Sequence, residues 1–137
     1  MWRFALETLA AFPDAETVMM TLLAPLVAVG RTGTSTPPDL ESGAFVRVQR
    51  VGGTDDGVTD RPRVEVACFA STRAAAQALQ AECRRVILAA GATAVAGVLI
   101  DRAVTDTGPV TPPRWENLDV RWVPAFYRLE WRRPRIN

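Results

Sequence analysis

Phe45-Val46-Arg47-Val48-Gln49-Arg50-Val51 alternates apolar and polar residues, and Arg63-Val64-Glu65-Val66-Ala67-Cys68-Phe69 does the same. A two-residue period is that of a strand with one buried face. Val46 and Val48 fall on one face, as do Val64, Val66 and Cys68, with the charged residues between them turned outward. The two runs predict an antiparallel hairpin. Between them lies Gly52-Gly53-Thr54-Asp55-Asp56-Gly57-Val58-Thr59-Asp60-Arg61-Pro62, a loop longer than a tight hairpin needs. Its glycines predict mobility, and its acidic side chains are expected outside the core.

A long amphipathic helix follows, from about Thr72 to Ala90. Ser71 or Thr72 can cap it. Ala75, Leu79, Cys83, Val86 and Ala90, widened by Ile87, make its predicted inner stripe. Arg84 and Arg85 suit the negative end of the helix dipole, and Gly91 is a natural stop. Upstream, Asp14 is an N-cap candidate with Glu16 in the first turn. Val18, Met19, Leu22, Leu23 and Leu26 recur at helical spacing, and Pro25 should end or kink that helix. Met1 to Phe12 reads as a helical extension of uncertain role. Gly30 to Gly43 reads as a long loop, with a short extended piece near Val27 to Arg31. Gly97 to Val104 reads as a strand with Val98 and Ile100 on one face, and Thr105 to Leu118 as a proline-rich loop. A last strand covers Val120 to Arg132, where Pro124 points to an edge or a bulge. The expected class is α+β: an antiparallel sheet flanked by helices, in the order α-β-β-α-β-β, as one domain over residues 1–137.

The chain has 137 residues, 48% of them hydrophobic and 23% charged, with a net charge of +1. Such a length suits one core. A charge so near zero gives no support to strong nonspecific nucleic-acid binding. Every basic side chain is arginine and there is no histidine. Histidine-dependent nucleophilic catalysis and histidine-based metal centres are therefore excluded. Cys68 and Cys83 lack metal-site spacing and read as buried, reduced thiols. No signal peptide is recognised. Val18 to Gly30 and Val86 to Ile100 are both too short and too interrupted for a membrane span.

Other motifs are weak. Gly30-Arg31-Thr32-Gly33-Thr34-Ser35 lacks the lysine of a phosphate-binding loop. Asp55, Asp56 and Asp60 do not have EF-hand spacing, and no glutamate closes the set. Glu116 with Asp119, and Asp101 with Asp106, read as surface charges. Trp115, Trp122 and Trp131 each adjoin an arginine: Arg114, Arg121 and Arg132. They could stack bases of a single strand, but core and subunit-interface packing is preferred at this net charge. No cofactor is expected.

The assembled pattern resembles the tail-terminator, or tail-completion, proteins of long-tailed bacteriophages, especially those of actinobacterial hosts. The residues that carry the resemblance are Val46-Arg47-Val48-Gln49-Arg50-Val51-Gly52-Gly53-Thr54-Asp55 and Asp60-Arg61-Pro62-Arg63-Val64-Glu65-Val66-Ala67-Cys68-Phe69-Ala70. To these are added the helix from Thr72 to Gly91, the closing Phe126-Tyr127-Arg128-Leu129, and the helix opening Asp14-Ala15-Glu16. The likeness spans about Asp14 to Arg133; Met1 to Phe12 departs from it.

The resemblance implies a structural virion protein, not an enzyme, made in the host cytoplasm and placed at the head-proximal end of the tail. It implies a homo-hexameric ring that caps the tail tube, stops its polymerisation and offers a surface for head joining. The implied partners are other copies of the chain, the major tail tube protein and the head–tail connector or head-completion protein. Genome DNA would pass through the lumen without specific binding, and no membrane is involved. Two other readings stand beside it: a neighbouring neck or head-closure protein, and a small ligand-binding or enzymatic α+β domain. The candidate assembly or lumen residues are Asp55, Asp56, Asp60 and Arg61. A solvated loop without a role is the alternative for that segment.

Overall fold

The computed structural model describes residues 11–36, 43–110 and 121–133. Most of the N-terminal extension, Arg114, Trp115, Glu116 and Asp119 lie outside the described residues.

The first helix, α1 (Ala15–Leu23), begins where the sequence predicts. Asp14 accepts from the Glu16 backbone N–H, and its other carboxylate oxygen accepts from the Thr17 hydroxyl. Pro25 does not extend the helix; the chain tightens into a 3-10 turn, Ala24–Leu26. A two-residue strand, β1 (Thr32–Gly33), then lies parallel to the start of β2 (Phe45–Asp55). Strand β3 (Thr59–Ala70) returns antiparallel, with Val46 opposite Cys68 and Val48 opposite Val66. Helix α2 (Arg73–Ala89) follows, its Thr72 hydroxyl capping the Ala75 amide. Next come β4 (Thr93–Val95), β5 (Val98–Ile100), β6 (Arg102–Thr107) and β7 (Arg121–Arg132).

The architecture is α+β. A five-stranded sheet has the order β1-β2-β3-β7-β6, and β4-β5 form a separate two-stranded ribbon. Both helices cover one face of the sheet. Val18, Met19, Leu23, Cys83 and Ile87 share a single buried cluster with Val46, Val48, Val64, Val66, Cys68, Tyr127 and Leu129.

The expected element order needs two corrections. It omitted β1 and β4, and it drew Gly97 to Val104 as one strand. The chain breaks at Asp101: Val98–Ile100 folds back on Thr93–Val95, and only then does β6 join β7. The turn between β4 and β5 holds Ala96 and Gly97 at φ of 51° and 76°. Those are the left-handed values a two-residue hairpin demands, and the alanine hides the signal.

Pro124 is not on an outer strand. β7 lies between β3 and β6, and Pro124 sits opposite Ala67 of β3. Pairing with β6 stops at Phe126. The Pro124 carbonyl accepts from the Val110 N–H, so the proline nitrogen, pointing the same way, faces the side where β6 has ended.

The stripe of α2 is also rotated from its expected phase. Ala76, Gln80, Cys83, Ile87 and Ala90 are buried, Leu79 and Val86 are half-buried, and Ala75 is exposed. Arg84 and Arg85 stop short of the last turn. Arg85 pairs with Glu82 and Arg84 reaches Thr105. The left-handed residue at the helix exit is Ala92 and not Gly91.

Candidate functional site

The segment from Gly52 to Pro62 is not a long mobile loop. β2 and β3 remain paired through Gly52↔Arg63, Gly53↔Pro62, Thr54↔Arg61 and Asp55↔Asp60, leaving only Asp56-Gly57-Val58-Thr59 beyond the last pair. The ladder slips once, between Arg50 and Gly52, where Val51 bulges out exposed. Glycine is required at position 53: its φ is +99°, and a Cβ there would come within 2.7 Å of the Pro62 Cα.

The four candidate residues split by role. Asp60 is 1% exposed, contrary to the expectation that these acids avoid the core. Its two carboxylate oxygens accept from the two terminal nitrogens of Arg50 at 2.8 and 2.9 Å, a bidentate pair. The Arg50 Nε donates to the Gly52 carbonyl at 3.0 Å, and its backbone N–H donates to the Glu16 carboxylate at 3.1 Å. The hydrogen bond to Asp60 holds the guanidinium pKa above its ordinary value. This clamp joins the bulge, the inner end of the hairpin arm and the first turn of α1.

Asp55 and Asp56 occupy the tip. Asp55 accepts from the Gly57 N–H at 3.0 Å. One Asp56 oxygen accepts from the N–H groups of Val58 and Thr59, at 2.9 and 2.7 Å. Those N–H groups, Thr59 first, hold the Asp56 carboxyl below its ordinary pKa, and the Arg61 charge adds to the effect. Arg61 bridges from the arm to the next strand, 3.6 Å from Asp56 and 3.5 Å from Glu130. The end of β7 braces the other side: Thr59 pairs with Arg132, and the Arg133 N–H donates to the Val58 carbonyl at 3.1 Å. The result is a stiff arm whose tip presents Asp55, Asp56 and an exposed Val58.

Sequence reasoning gave Arg50 no role and read Glu16 only as a first-turn acid of α1. The signal for Arg50 was present: it continues the Val46–Val48 face, and a charge on a core face needs a buried partner.

The sheet face turned away from the helices carries an arginine–aromatic array. Phe69 and Trp122 stack with ring centroids 5.7 Å apart. Arg47 lies over both rings and pairs with Glu65 at 2.7 Å. Arg63 lies over Phe126 and, with Arg128, grips Asp106. Trp131 belongs to the core on the other face, so Trp122 and Trp131 lie on opposite faces and share no stacking surface, while Trp115 lies outside the described residues.

Among the described residues, no group of three or more acidic, cysteine or histidine side chains could hold a metal. No described helix is long and apolar enough to cross a membrane. Two open clefts, of about 440 and 500 Å³, lie beside Leu99 and Arg132 and beside Arg84 and Thr105.

In a comparison with solved structures, the chain is similar to a chain from the virion of a native gene transfer agent particle. The TM-score is 0.52 and the identity 14%, over 86% of this chain and 87% of that one. At that identity the likeness concerns the fold alone. Among curated proteins, none matches. The family model described as phage tail termination protein matches residues 11–137. That match takes in both helices and the whole sheet, and the chain belongs to the phage tail termination protein family.

Proposed function

We propose that the chain assembles as a hexameric ring on the head-proximal end of a phage tail tube. There it stops tube polymerisation and presents the surface to which the head connector docks. The observation that carries this reading is the family match over residues 11–137. The structure supplies parts a ring can use. A ring needs two different complementary patches per subunit, and the stiff hairpin arm is a shaped patch that requires no ordering before it docks. Asp55 and Asp56 at its tip, with Arg61 behind them, are the proposed assembly or lumen residues. The partners on this reading are further copies of the chain, the tail tube protein and the head-completion protein, with DNA passing through the centre unbound.

The test is electron microscopy of particles from a phage lacking the gene for this chain. Uncontrolled tube length is expected. Tails of normal length that fail to join heads would transfer the role to a neck or head-closure protein. Normal tails on normal particles would overturn both readings.

A further inference from the structure

Cys68 sits near the C-terminal end of β3, the central strand of the sheet, opposite Val46 of β2 and Val123 of β7. Cys83 sits on the inner stripe of α2. Their sulfurs meet at 3.7 Å, and both residues are 0% exposed. The pair spans the interface between the helix and the centre of the sheet, fifteen residues apart in sequence. A disulfide needs about 2.05 Å between sulfurs. The gap is thus under about 2 Å, within reach of small side-chain rotations and a slight approach of α2 to the sheet.

We propose that Cys68 and Cys83 are a latent disulfide site, reduced in a reducing medium and closed internally, as a stabilising staple, in an oxidising one. The co-reactant is a low-molecular-weight disulfide. One cysteine thiolate attacks it, forming a mixed disulfide and expelling one thiolate. The second cysteine thiolate attacks the protein sulfur of that mixed disulfide and expels the other. Two electrons pass from the pair to the reagent, and the two cysteine protons end on the two released thiols.

The hydrogen bond with Cys83, together with burial, pushes the Cys68 pKa upward, so the attacking thiolate is scarce while the core is closed. Closure therefore waits on local opening of α2 or takes place during folding. A virion component leaves the reducing cell for oxidising surroundings, which is where such a staple would act. That setting rests on the family membership, but the chemistry can be read on the purified chain whether or not the ring proposal holds.

The experiment refolds the full chain in a buffer containing oxidised glutathione and, separately, incubates the folded chain with the same reagent. Intact mass should fall by two hydrogen masses with no glutathione adduct, as a monomer. The melting temperature should rise by about 5–10 °C, reversibly on adding dithiothreitol. Cys68→Ala and Cys83→Ala should show neither change relative to their own reduced forms. Ile87→Ala, which loosens α2, should close faster from the folded state. Two free thiols after oxidative refolding, a persistent glutathione adduct, cross-linked dimers, or a staple that lowers the melting temperature would each overturn the proposal.

Discussion

Gln80 is the one fully buried neutral polar side chain among the described residues, and it is completely engaged. Its Nε2 donates to the carbonyls of Val66 and Val123, both at 2.8 Å, and its Oε1 accepts from the Tyr127 hydroxyl at 2.8 Å. One side chain thus ties α2 to two adjacent strands. Gln80→Leu keeps the volume but leaves the Tyr127 hydroxyl and two carbonyls without that partner. It should cost roughly 2–4 kcal/mol in urea unfolding, since each buried polar group left unpaired costs about 1–3 kcal/mol. Asp60 is the second buried polar residue, and it divides the candidate site. Asp60→Asn should lower stability by about 1–3 kcal/mol through loss of the bidentate pair with Arg50. Asp55→Asn should leave unfolding unchanged within about 0.5 kcal/mol. Thermal melts of the two variants separate them. Asp55 and Asp56 were readable from the sequence as surface acids. Asp60 was not, although it continues the Val64–Val66–Cys68 face at two-residue spacing: the glycines and acids around it read as loop, and β3 in fact extends back to Thr59.

At the scale of elements, α2 shows where periodicity stops being sufficient. Two phases fit its apolar residues. Leu79 and Val86 pull the stripe one way, but the core takes Ala76, Gln80, Cys83, Ile87 and Ala90. The polar Gln80 conceals the true phase. Ile87→Ala should therefore cost about 2–5 kcal/mol, and Leu79→Ala or Val86→Ala only about 1–2 kcal/mol. Equal losses in chemical denaturation would mean that Leu79 and Val86 are more enclosed than their half-buried state implies. The hairpin arm makes its own prediction in acid. Asp56 and Asp106 both have carboxyl pKa values held below the ordinary 3.8, Asp56 by the Thr59 and Val58 N–H groups and Asp106 by Arg63. A carboxyl whose folded pKa is depressed stabilises fully above its unfolded value and loses that contribution as pH falls through the folded one. The melting temperature of the wild type should thus decline more steeply below about pH 4 than that of an Asp56→Asn, Asp106→Asn double variant. The strands themselves were legible because valines alternate with charges. The β4–β5 ribbon was not, because its turn uses Ala96 where asparagine or glycine would have announced it.

For the whole molecule, the sequence carried the class and the family, since both rest on the long hairpin and the helix behind it. The assembly is a different matter: inter-subunit contacts leave no period in a single chain, and this hairpin's acids could serve structure or contact. The structure separates those uses and sharpens the experiment. Asp60 holds the arm in place, so neutralising it together with the tip would confuse misfolding with failed assembly. Asp55 and Asp56 lie at an exposed tip, where their charges are free to act on a neighbour. If the tip borders a DNA channel, its negative charge disfavours sticking to phosphates within a Debye length of roughly 10 Å. If it docks on a basic rim of the tail tube, the same charges steer the encounter. An Asp55→Asn, Asp56→Asn double variant keeps side-chain carbonyl oxygens that can accept from Gly57, Val58 and Thr59, so the turn should persist. Far-ultraviolet circular dichroism and the melting temperature at neutral pH should stay close to wild type, whereas the yield of infectious particles should fall. Micrographs distinguish the two uses: overlong tails mark a failed cap, and full-length tails that retain DNA on triggering mark an obstructed channel. Wild-type infectivity from the folded double variant would reject a role for these charges and leave the arm as a purely structural extension of the sheet.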